Sequence, residues 1–481
     1  MNNSLHTSLK ENIATIKEYL PIGTSFDLIT RDLYLGETPA YWVGINGFCD
    51  TDLLQQIISD LQTPLKQRHT AITDIQHYMN AQIGYAQTSL TSSWDEIVRN
   101  VLSGPSVLFL DGFDQAILLD VRSYPTRNVA EPDSERITRG ARDGFVETLI
   151  SNANLIRRRV RSPHLTFSMH HVGTESVTDV AIAYLDTHVN EKLLRALTKA
   201  LDSLTVTSLT MGTKSLEELL VHKKWYNPLP SLQVTERPDV ACSYLLEGHI
   251  LLLVDNSPLV LLLPGTIFQF TQSPEDYYKS PSVGTYFRLI RFICIPMSLL
   301  LMPLFLLLTA YFPHLSQQWN LLTDPTMTRG QLILYTMTVE FILDLFKYST
   351  AVSSSRFSNA LSIVGGLIIG DIAIELHWAS PEVFFYGSLT LLSSLSLASI
   401  DFSDGIRTYR IFLLILTSLW GIYGFVPGLL LVLISMATTP TFGGMSYLWP
   451  LVPFNWEALK LLLMRYPTAK AQPCNVWERE V

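Results

Sequence analysis

A succession of long apolar runs between Tyr286 and Met436 constrains the fold of this chain more than any other feature. A helix needs about 20 mostly apolar residues to cross the hydrocarbon core of a bilayer. The sequence before residue 286 instead has the mixed polarity of a water-exposed protein. The pattern predicts an α+β chain with tandem cytoplasmic α/β subdomains, followed by an α-helical transmembrane domain of about five helices.

Five apolar segments account for the predicted helices. They are Ile290–Ala310, Leu332–Phe346, Leu361–Leu376, Val383–Ile400 and Ile411–Met436. Gly424, Pro427 and Gly428 predict a break within the last segment. The predicted boundaries are 1–124 for the first subdomain, 125–162 for a charged helical connector, 163–285 for the second subdomain, 286–440 for the transmembrane domain, and 441–481 for an amphipathic or re-entrant segment with the tail.

Four acidic residues lie inside these apolar segments. Glu340 and Asp344 share one helical face, and so do Asp371 and Glu375. A charged side chain at the centre of a bilayer costs roughly 2.5–3.5 kcal/mol or more, so the acids favour a functional role as the lining of a cation path. The alternative is that Asp371 and Glu375 reach water near a segment end, while the second segment is an interfacial helix.

Three glycines precede Asp371 on the third segment, at Gly365, Gly366 and Gly370. Small residues let membrane helices approach closely, so these positions predict helix packing, either beside an ion path or without any role in conduction.

Cations beside the segments predict an orientation, because positive residues in short loops tend to stay cytoplasmic. The cations placed inside on this basis are Arg288, Arg291, Lys347, Arg356, Arg407 and Arg410. The tail cations Lys460 and Arg465 would then lie outside. Two solutions stay open: residues 447–464 dip into or cross the membrane, or the second segment lies in the interface.

Composition and motifs exclude several function classes. The net charge of −9 argues against nucleic-acid binding, which depends on Lys and Arg at phosphates. The four cysteines are scattered, which predicts neither a disulfide framework nor a metal site. Residues 1–19 do not resemble a signal peptide. No nucleotide-binding or hydrolase motif is present, so we expect no enzyme activity and no cofactor.

Two stretches of the N-terminal part share a layout. In each, a Gly is followed seven residues later by a turn Asp between β-rich runs: Gly104 with Asp111, and Gly248 with Asp255. Asp-Gly and Asp-Asn at such positions predict hairpins. The interpretation is two α/β subdomains related by duplication, at roughly 24–124 and 163–272, with chance recurrence as the alternative. The run Ile250–Leu263 is predicted to be a buried hairpin, because a break at Asp255 makes it too short to span a membrane.

The connector carries acids first and arginines last, in the order that complements a helix dipole. Its apolar residues fall at helical spacing from Phe145, which predicts a helix with one buried face over Asp133–Arg161. One interpretation is a solvated face with dipole matching; the other is a linker that pairs with a neighbouring subunit. The residues assigned to the second interpretation are Glu131, Glu135, Arg139, Arg142, Glu147, Arg157, Arg158 and Arg159.

Several motifs resemble those of the GerA-type spore germination proteins. Glu131–Glu147 reads EPDSERITRGARDGFVE and resembles the family's EPxxExxxRGxxxGFxE block, and Asn154–Arg159 resembles the motif that follows it. Thr235–Asp239 (TERPD), Glu275–Tyr278 (EDYY) and Ile363–Gly370 (IVGGLIIG) are similar to further family motifs. The similarity runs from about residue 100 through most of the chain. The chain is therefore identified as a member of this family, of the A-subunit type.

Within the family the chain resembles a sporulation-stage paralogue of the receptor A subunits. Asp344–Tyr348 reads DLFKY where receptors carry LREAG, and this departure argues against direct germinant sensing. The resemblance implies a homo-oligomer in the bilayer of the spore inner membrane, with its N-terminal domain in the cytoplasm. It also implies release of monovalent cations, with a second membrane subunit and other germination proteins as candidate partners.

Two other functions compete with the channel. One is a non-conducting scaffold that organises germinant receptors, for which the acids would be dispensable. The other is a secondary transporter, which also uses paired acids and broken helices, but no inverted repeat is visible in the membrane half.

Overall fold

The computed structural model describes residues 4–68, 72–124, 139–319, 327–352 and 380–466, together with residues 135, 137, 321, 322 and 375. The chain folds into two compact units. The N-terminal unit contains Met1–Val221 and Leu232–Pro264. The helical unit contains His222–Ser231 and Gly265–Lys470.

The N-terminal unit repeats one order of elements, αββααβαββ. The first copy is α1 (Leu9–Tyr19), β1 (Leu28–Leu35), β2 (Thr38–Ile45), α2 (Thr51–Arg68), α3 (Ile75–Gln82), β3 (Thr88–Thr91), α4 (Trp94–Ser103), β4 (Ser106–Leu110) and β5 (Ala116–Leu119). The second copy is α5 (Leu149–Arg159), β6 (Leu165–Val172), β7 (Thr178–Leu185), α6 (Glu191–Asp202), α7 (Thr213–Leu220), β8 (Gln233–Thr235), α8 (Pro238–Leu246), β9 (Ile250–Val254) and β10 (Val260–Leu263).

The two copies build two sheets with the same topology. The strand orders are β1-β2-β4-β5-β3 and β6-β7-β9-β10-β8, and the neighbouring strands are antiparallel. Both predicted hairpins are confirmed, since β4 pairs with β5 and β9 pairs with β10. The hairpin strands are buried along their whole length, which explains why Ile250–Leu263 is apolar enough to imitate a membrane helix.

Each turn Asp caps the first helix of its own copy. Asp111 Oδ1 accepts a hydrogen bond from Leu9 N at 2.9 Å, and Asp255 Oδ1 accepts one from Leu149 N at 3.1 Å. An acceptor at this place satisfies an amide that has no partner within the helix and lies at the positive end of the helix dipole. The recurrence of this contact, on top of the shared topology, supports duplication over chance.

A second contact recurs beside each cap. The Asn12 side chain bonds both the N–H and the carbonyl of His6, at 2.9 and 2.6 Å. The Asn152 side chain bonds the N–H and the carbonyl of Val146 in the same way, at 2.8 and 2.5 Å. In each copy the Asn lies six residues after its partner, so the same clamp fixes the chain as it approaches α1 and α5.

The predicted connector helix over Asp133–Arg161 is wrong in extent. The helix is α5, which begins at Leu149, and residues 139–148 are not helical. Gly140 adopts φ 133°, a conformation outside the helical region. Phe145 N donates to Glu236 O at 2.7 Å, so the backbone here is held by the segment before α8 and not by hydrogen bonds within a helix of its own.

The described part of the helical unit is almost entirely helical in its regular secondary structure. Its elements are the 3₁₀ turn Gln269–Thr271, α9 (Glu275–Tyr278), α10 (Pro281–Tyr311), α11 (Pro313–Gln318), α12 (Arg329–Val352), α13 (Pro381–Leu395), α14 (Ile400–Trp420), α15 (Ile422–Ala437) and α16 (Trp456–Leu463).

The predicted count of about five membrane helices is not established. Among the described residues, only α10 is both long and apolar enough to cross a membrane, and α15 is apolar but shorter. The third predicted segment, with Gly365, Gly366, Gly370 and Asp371, lies outside the described residues. Glu375 is described only as an exposed helical residue.

The fifth predicted segment, Ile411–Met436, is two helices. The break falls at Gly421, with φ 60° and ψ −130°, and not at Gly424 or Pro427 as expected. Glycine is the residue that tolerates this conformation, and a Cβ there would overlap the ring of Tyr311. The first of the two helices, α14, also starts eleven residues early, because charged residues in its first half hide it from a hydropathy pattern.

We use α10 to name the two ends of the helical unit. The near end is where α10 begins, and the far end is where α10 finishes at Tyr311. At the far end, the Tyr311 hydroxyl donates to Ser418 O near the end of α14 at 2.7 Å. The Arg329 guanidinium, at the start of α12, lies 3.8 Å from the Tyr311 ring centroid. Thus α12 starts at the far end, whereas α14 ends there.

The C-terminal segment returns to the near end. Arg288 Nη1 donates to the carbonyls of Leu461 and Leu462, at 3.1 and 3.2 Å, and so caps α16. Arg465 N donates to Thr285 Oγ1 at 3.1 Å. The tail cation Arg465 therefore lies at the same end of the helical unit as Arg288.

Candidate functional site

A row of ion pairs between α12 and α14 is the most unusual feature of the helical unit. We call it the charged seam and define it by Glu340, Asp344 and Lys347 on α12, and by Asp404, Arg407 and Arg410 on α14. Spacings of three and four residues place each triplet on one helical face. The acids and cations are equal in number, so the seam carries no net charge when all six groups are ionised.

The deepest pair joins Glu340 and Arg410. Arg410 Nε donates to Glu340 Oε1 at 2.6 Å, and both side chains are about 5 % exposed (4 % and 6 %). Arg410 Nη1 also donates to the carbonyl of Ser298 on α10 at 2.9 Å. The pair thus ties three helices together.

One oxygen of this pair stays available. Glu340 Oε2 is buried and accepts no hydrogen bond from the part of the chain that the structure describes. A buried carboxylate normally has all its oxygens satisfied, so this atom marks a place where a cation or a water molecule would be stabilised.

The other pairs are partly exposed. Lys347 Nζ lies 2.7 Å from Asp404 Oδ1, and Arg407 Nε lies 3.5 Å from Asp344 Oδ1. Arg407 also lies within 4.0 Å of Asp404. Because burial decreases from the Glu340–Arg410 pair towards the Lys347–Asp404 pair, the seam leads from the interior of the helical unit towards the near end.

Sequence reasoning found two acids of the seam, Glu340 and Asp344, but neither Asp404 nor the pairing of the acids with cations. Arg407 and Arg410 were predicted to lie in a cytoplasmic loop before the fifth segment, and both lie within α14. Their spacing from Asp404, three residues per step, is the signal that would have placed them on a helical face opposite the acids.

The motifs that resemble the family interlock within the N-terminal unit. Glu135 accepts hydrogen bonds from Thr235 Oγ1 and Glu236 N, at 2.7 and 3.0 Å. Buried Arg237 donates to the carbonyls of Glu135 and Ala141, at 3.2 and 2.9 Å. Burial raises the pKa of the Glu135 carboxyl. These contacts give Glu135 a partner within its own chain.

Two connector arginines also have partners in the same chain. Arg157 is fully buried, and its Nε donates to Asp27 Oδ2 at 2.7 Å, which links the two copies. Arg159 pairs with Asp143. Neither contact needs a neighbouring subunit.

The remaining connector residues differ in exposure. Arg158 stacks on the ring of Tyr124 at 4.6 Å. Arg139, Arg142 and Glu147 are exposed or partly exposed, and Glu131 lies outside the described residues. Contacts between subunits through the exposed residues stay a prediction.

The predicted cytoplasmic cations at the start of α10 share one acid. Arg288 Nε lies 3.4 Å from Asp276 Oδ2, and Arg291 pairs with Asp276 Oδ1. All three residues are buried. Asp276 belongs to the EDYY motif, so that motif fixes the beginning of α10.

A Ser–His–Asp chain between β6 and the end of α6 resembles catalytic machinery only in its distances. His170 Nε2 lies 3.1 Å from Ser168 Oγ, and His170 Nδ1 lies 3.0 Å from Asp202 Oδ1. In serine hydrolases the acid is buried and orients the imidazole, whereas the Asp202 side chain is 62 % exposed. We interpret these contacts as surface hydrogen bonding. Among the described residues, no group of three or more His, Cys, Asp or Glu could hold a metal ion.

Comparisons with known proteins agree with the motifs. The family model described as Bacillus/Clostridium GerA spore germination protein matches residues 14–474. The chain is 34 % identical to stage V sporulation protein AF of Bacillus subtilis (strain 168), over 97 % of this chain and 94 % of that protein. It is 27 % identical to spore germination protein B1 of the same organism, over 96 % of each. The crystal structure of the N-terminal domain of the A subunit of the Bacillus megaterium spore germinant receptor GerK3 is 24 % identical, with a TM-score of 0.42, and covers 54 % of this chain and 95 % of that domain.

Proposed function

Because the chain belongs to the GerA spore germination protein family, we propose that it is a multi-pass subunit of an oligomeric cation channel. It would sit in the spore inner membrane, hold its N-terminal unit in the cytoplasm, and contribute to the release of monovalent cations in germination. Its partners would be further copies of itself and other germination proteins, including a second membrane subunit. We propose no enzymatic step and no cofactor.

Exposed aromatic residues support the membrane location. Tyr286 and Trp456 are exposed at the near end, and Trp420 and Tyr423 at the far end. Trp and Tyr are enriched at both interfaces of a bilayer. The stretch of α10 from Tyr286 to Tyr311 spans about 38 Å, which fits a bilayer of roughly 40–45 Å including its headgroups.

The charged seam is the observation that carries the channel proposal. Ionisable residues in membrane segments usually face a polar interior and mark ion or proton pathways. In the described conformation each acid is paired with a cation, so the seam corresponds to a closed path. Conduction would require the pairs to separate and expose the carboxylates, with Glu340 Oε2 as the first oxygen available to a cation.

The scaffold remains the second candidate, because the same pairing also explains the acids without conduction. A buried ion pair fixes how helices are placed relative to one another. On this alternative, Glu340 and Arg410 would hold α12, α14 and α10 together while the protein organises germinant receptors. The two functions predict different results when both Glu340 and Arg410 are neutralised. A channel still needs the negative charge of Glu340 for conduction, whereas a scaffold needs only the packing of the helices.

The test is cation flux from liposomes that contain the purified full-length protein. Three proteins are compared: wild type, Glu340→Gln, and the double variant Glu340→Gln with Arg410→Gln. The double variant is the matched control for packing, because it leaves no unpaired charge behind. The size-exclusion profile in detergent checks that each variant assembles.

The channel proposal expects flux in wild type and a several-fold loss in both variants. Wild-type flux that persists in a well-assembled double variant would remove the seam from the ion path. No flux from any assembled protein would favour the scaffold.

A further inference from the structure

Among the described residues, Trp225 is the most exposed large apolar side chain, at 95 %. It belongs to the sequence Lys223-Lys224-Trp225-Tyr226, in a segment that is part of the helical unit although it precedes β8 in the chain. Tyr226 is also exposed, and its ring lies edge-on to Trp225 with 6.1 Å between the centroids. We call Lys223–Tyr226 the aromatic tip.

The residues that follow the aromatic tip are fixed against the helices. Leu229 is fully buried in a cluster that includes Phe402 and Tyr409. Asn227 Nδ2 donates to Thr439 Oγ1 at 2.9 Å, and the Tyr409 hydroxyl donates to Asn227 Oδ1 at 3.3 Å. The exposed side chain of Trp225 therefore lies two residues before a fixed position.

The position of the tip along the helices follows from these contacts. Thr439 lies two residues after the end of α15, whose Leu430 and Ile434 are exposed and apolar. Trp225 lies two residues from Asn227, so its Cα is within about 7 Å of that level. The polar interfacial layer is roughly 5–7 Å thick on each side of a bilayer whose core is about 30 Å thick. The tip thus falls at the depth where the apolar surface of α15 gives way to polar groups.

We propose that the aromatic tip is an interfacial anchor that inserts Trp225 and Tyr226 into the lipid headgroup layer at the near end. Trp and Tyr favour this layer because their rings combine an apolar body with a polar group. Lys224, whose ammonium lies 5.7 Å from the Tyr226 ring centroid, adds a positive charge that attracts anionic lipid phosphates. The anchor fixes the depth of the turn that packs on α14 and α15. The inference rests on the proposed membrane location.

The test uses full-length protein with its four native cysteines replaced by alanine, reconstituted in vesicles of phosphatidylethanolamine and phosphatidylglycerol. A single cysteine at Trp225→Cys is labelled with the environment-sensitive fluorophore NBD. Quenching by aqueous iodide is compared with quenching by lipids that carry a headgroup-proximal nitroxide. Two matched controls are Tyr34→Cys, exposed on the N-terminal unit, and Leu431→Cys, exposed on α15.

The anchor predicts blue-shifted emission at position 225, strong quenching by the nitroxide lipid, and several-fold weaker iodide quenching than at position 34. Iodide quenching at 225 equal to that at 34, while 431 remains lipid-quenched, would overturn the anchor and leave the membrane location intact. Iodide quenching at 431 as well would refute the membrane location itself, and with it the anchor.

Discussion

The buried ion pair of Asp27 and Arg157 joins the two copies within the N-terminal unit. We expect the stability of the contact between the copies to depend strongly on the charges of these two side chains. Arg157 donates from Nε to Asp27 Oδ2 at 2.7 Å and from Nη2 to Leu165 O at 2.8 Å. Asp27 also accepts from Ser25 Oγ at 2.5 Å, and Ser25 Oγ in turn accepts from Phe167 N at 2.9 Å. Every group of this contact is satisfied, so one neutralised partner leaves a buried charge uncompensated.

The perturbation is Asp27→Asn, which keeps the shape, removes the charge and replaces one acceptor oxygen with an amide donor. Breaking a buried pair by removing one partner costs about 3–5 kcal/mol. Each 1.4 kcal/mol is about a factor of ten in an equilibrium constant, so local opening should become roughly a hundred to a few thousand times more frequent. The second variant, Asp27→Asn with Arg157→Met, removes both charges and should recover much of this loss.

The assay is hydrogen exchange of the full-length protein in detergent, followed by mass spectrometry at peptides that cover β1 and β6. This readout reports local opening and does not assume that the two units unfold together. The control is Glu191→Ala, which removes an exposed pair with Arg195 worth about 0.3–0.5 kcal/mol and should change exchange only about two-fold. Unchanged exchange in Asp27→Asn, or a double variant no better than the single one, would refute the reasoning.

Two further predictions concern single positions. Gly421→Ala should strongly destabilise the junction of α14 and α15, because a Cβ would overlap the Tyr311 ring and the backbone conformation favours glycine. The matched control is Gly330→Ala, where a Cβ meets nothing within 4 Å and the melting temperature in detergent should stay nearly unchanged. Equal shifts of the melting temperature in the two variants would contradict this prediction. Burial lowers the pKa of His249 to about 3, so the native state excludes a proton that the unfolded state binds below its ordinary pKa of 6.5. The stability that neutral His249 contributes is present above about pH 6.5 and falls as the pH drops towards 3, by up to about 1.4 kcal/mol per pH unit. In denaturant unfolding, the free energy of unfolding should therefore fall less from pH 7 to pH 5 in His249→Phe than in wild type.

The N-terminal unit was the more predictable part of the chain. Turn residues such as Asp111 and Asp255 act locally, and their spacing from Gly104 and Gly248 is enough to predict the repeat. The sequence could not show that the same aspartates cap α1 and α5, because a cap that reaches more than 100 residues along the chain leaves no local pattern.

The charged seam was only half predictable, for a physical reason. Carboxylates such as Glu340 stand out when they interrupt an apolar run, whereas Arg407 and Arg410 sit where positive charges are normal beside a membrane. Charge alone cannot distinguish a loop cation from a buried partner; only the fold that brings α14 against α12 does. The position of the break within the fifth segment was also predicted wrongly. Gly424 and Pro427 lie inside α15, whereas the helices are interrupted at Gly421.

The capping of α16 by Arg288 has a consequence for how the chain can be threaded. The helical unit begins and finishes at the same end, since Arg288 lies near the start of α10 and Leu461 near the close of α16. A path that returns to its starting side passes between the two ends an even number of times. In a bilayer-spanning form of this unit, an even number of crossings would therefore lie between Arg288 and Leu461, and fluorescent labels at the exposed positions Tyr286 and Trp456 should report the same compartment.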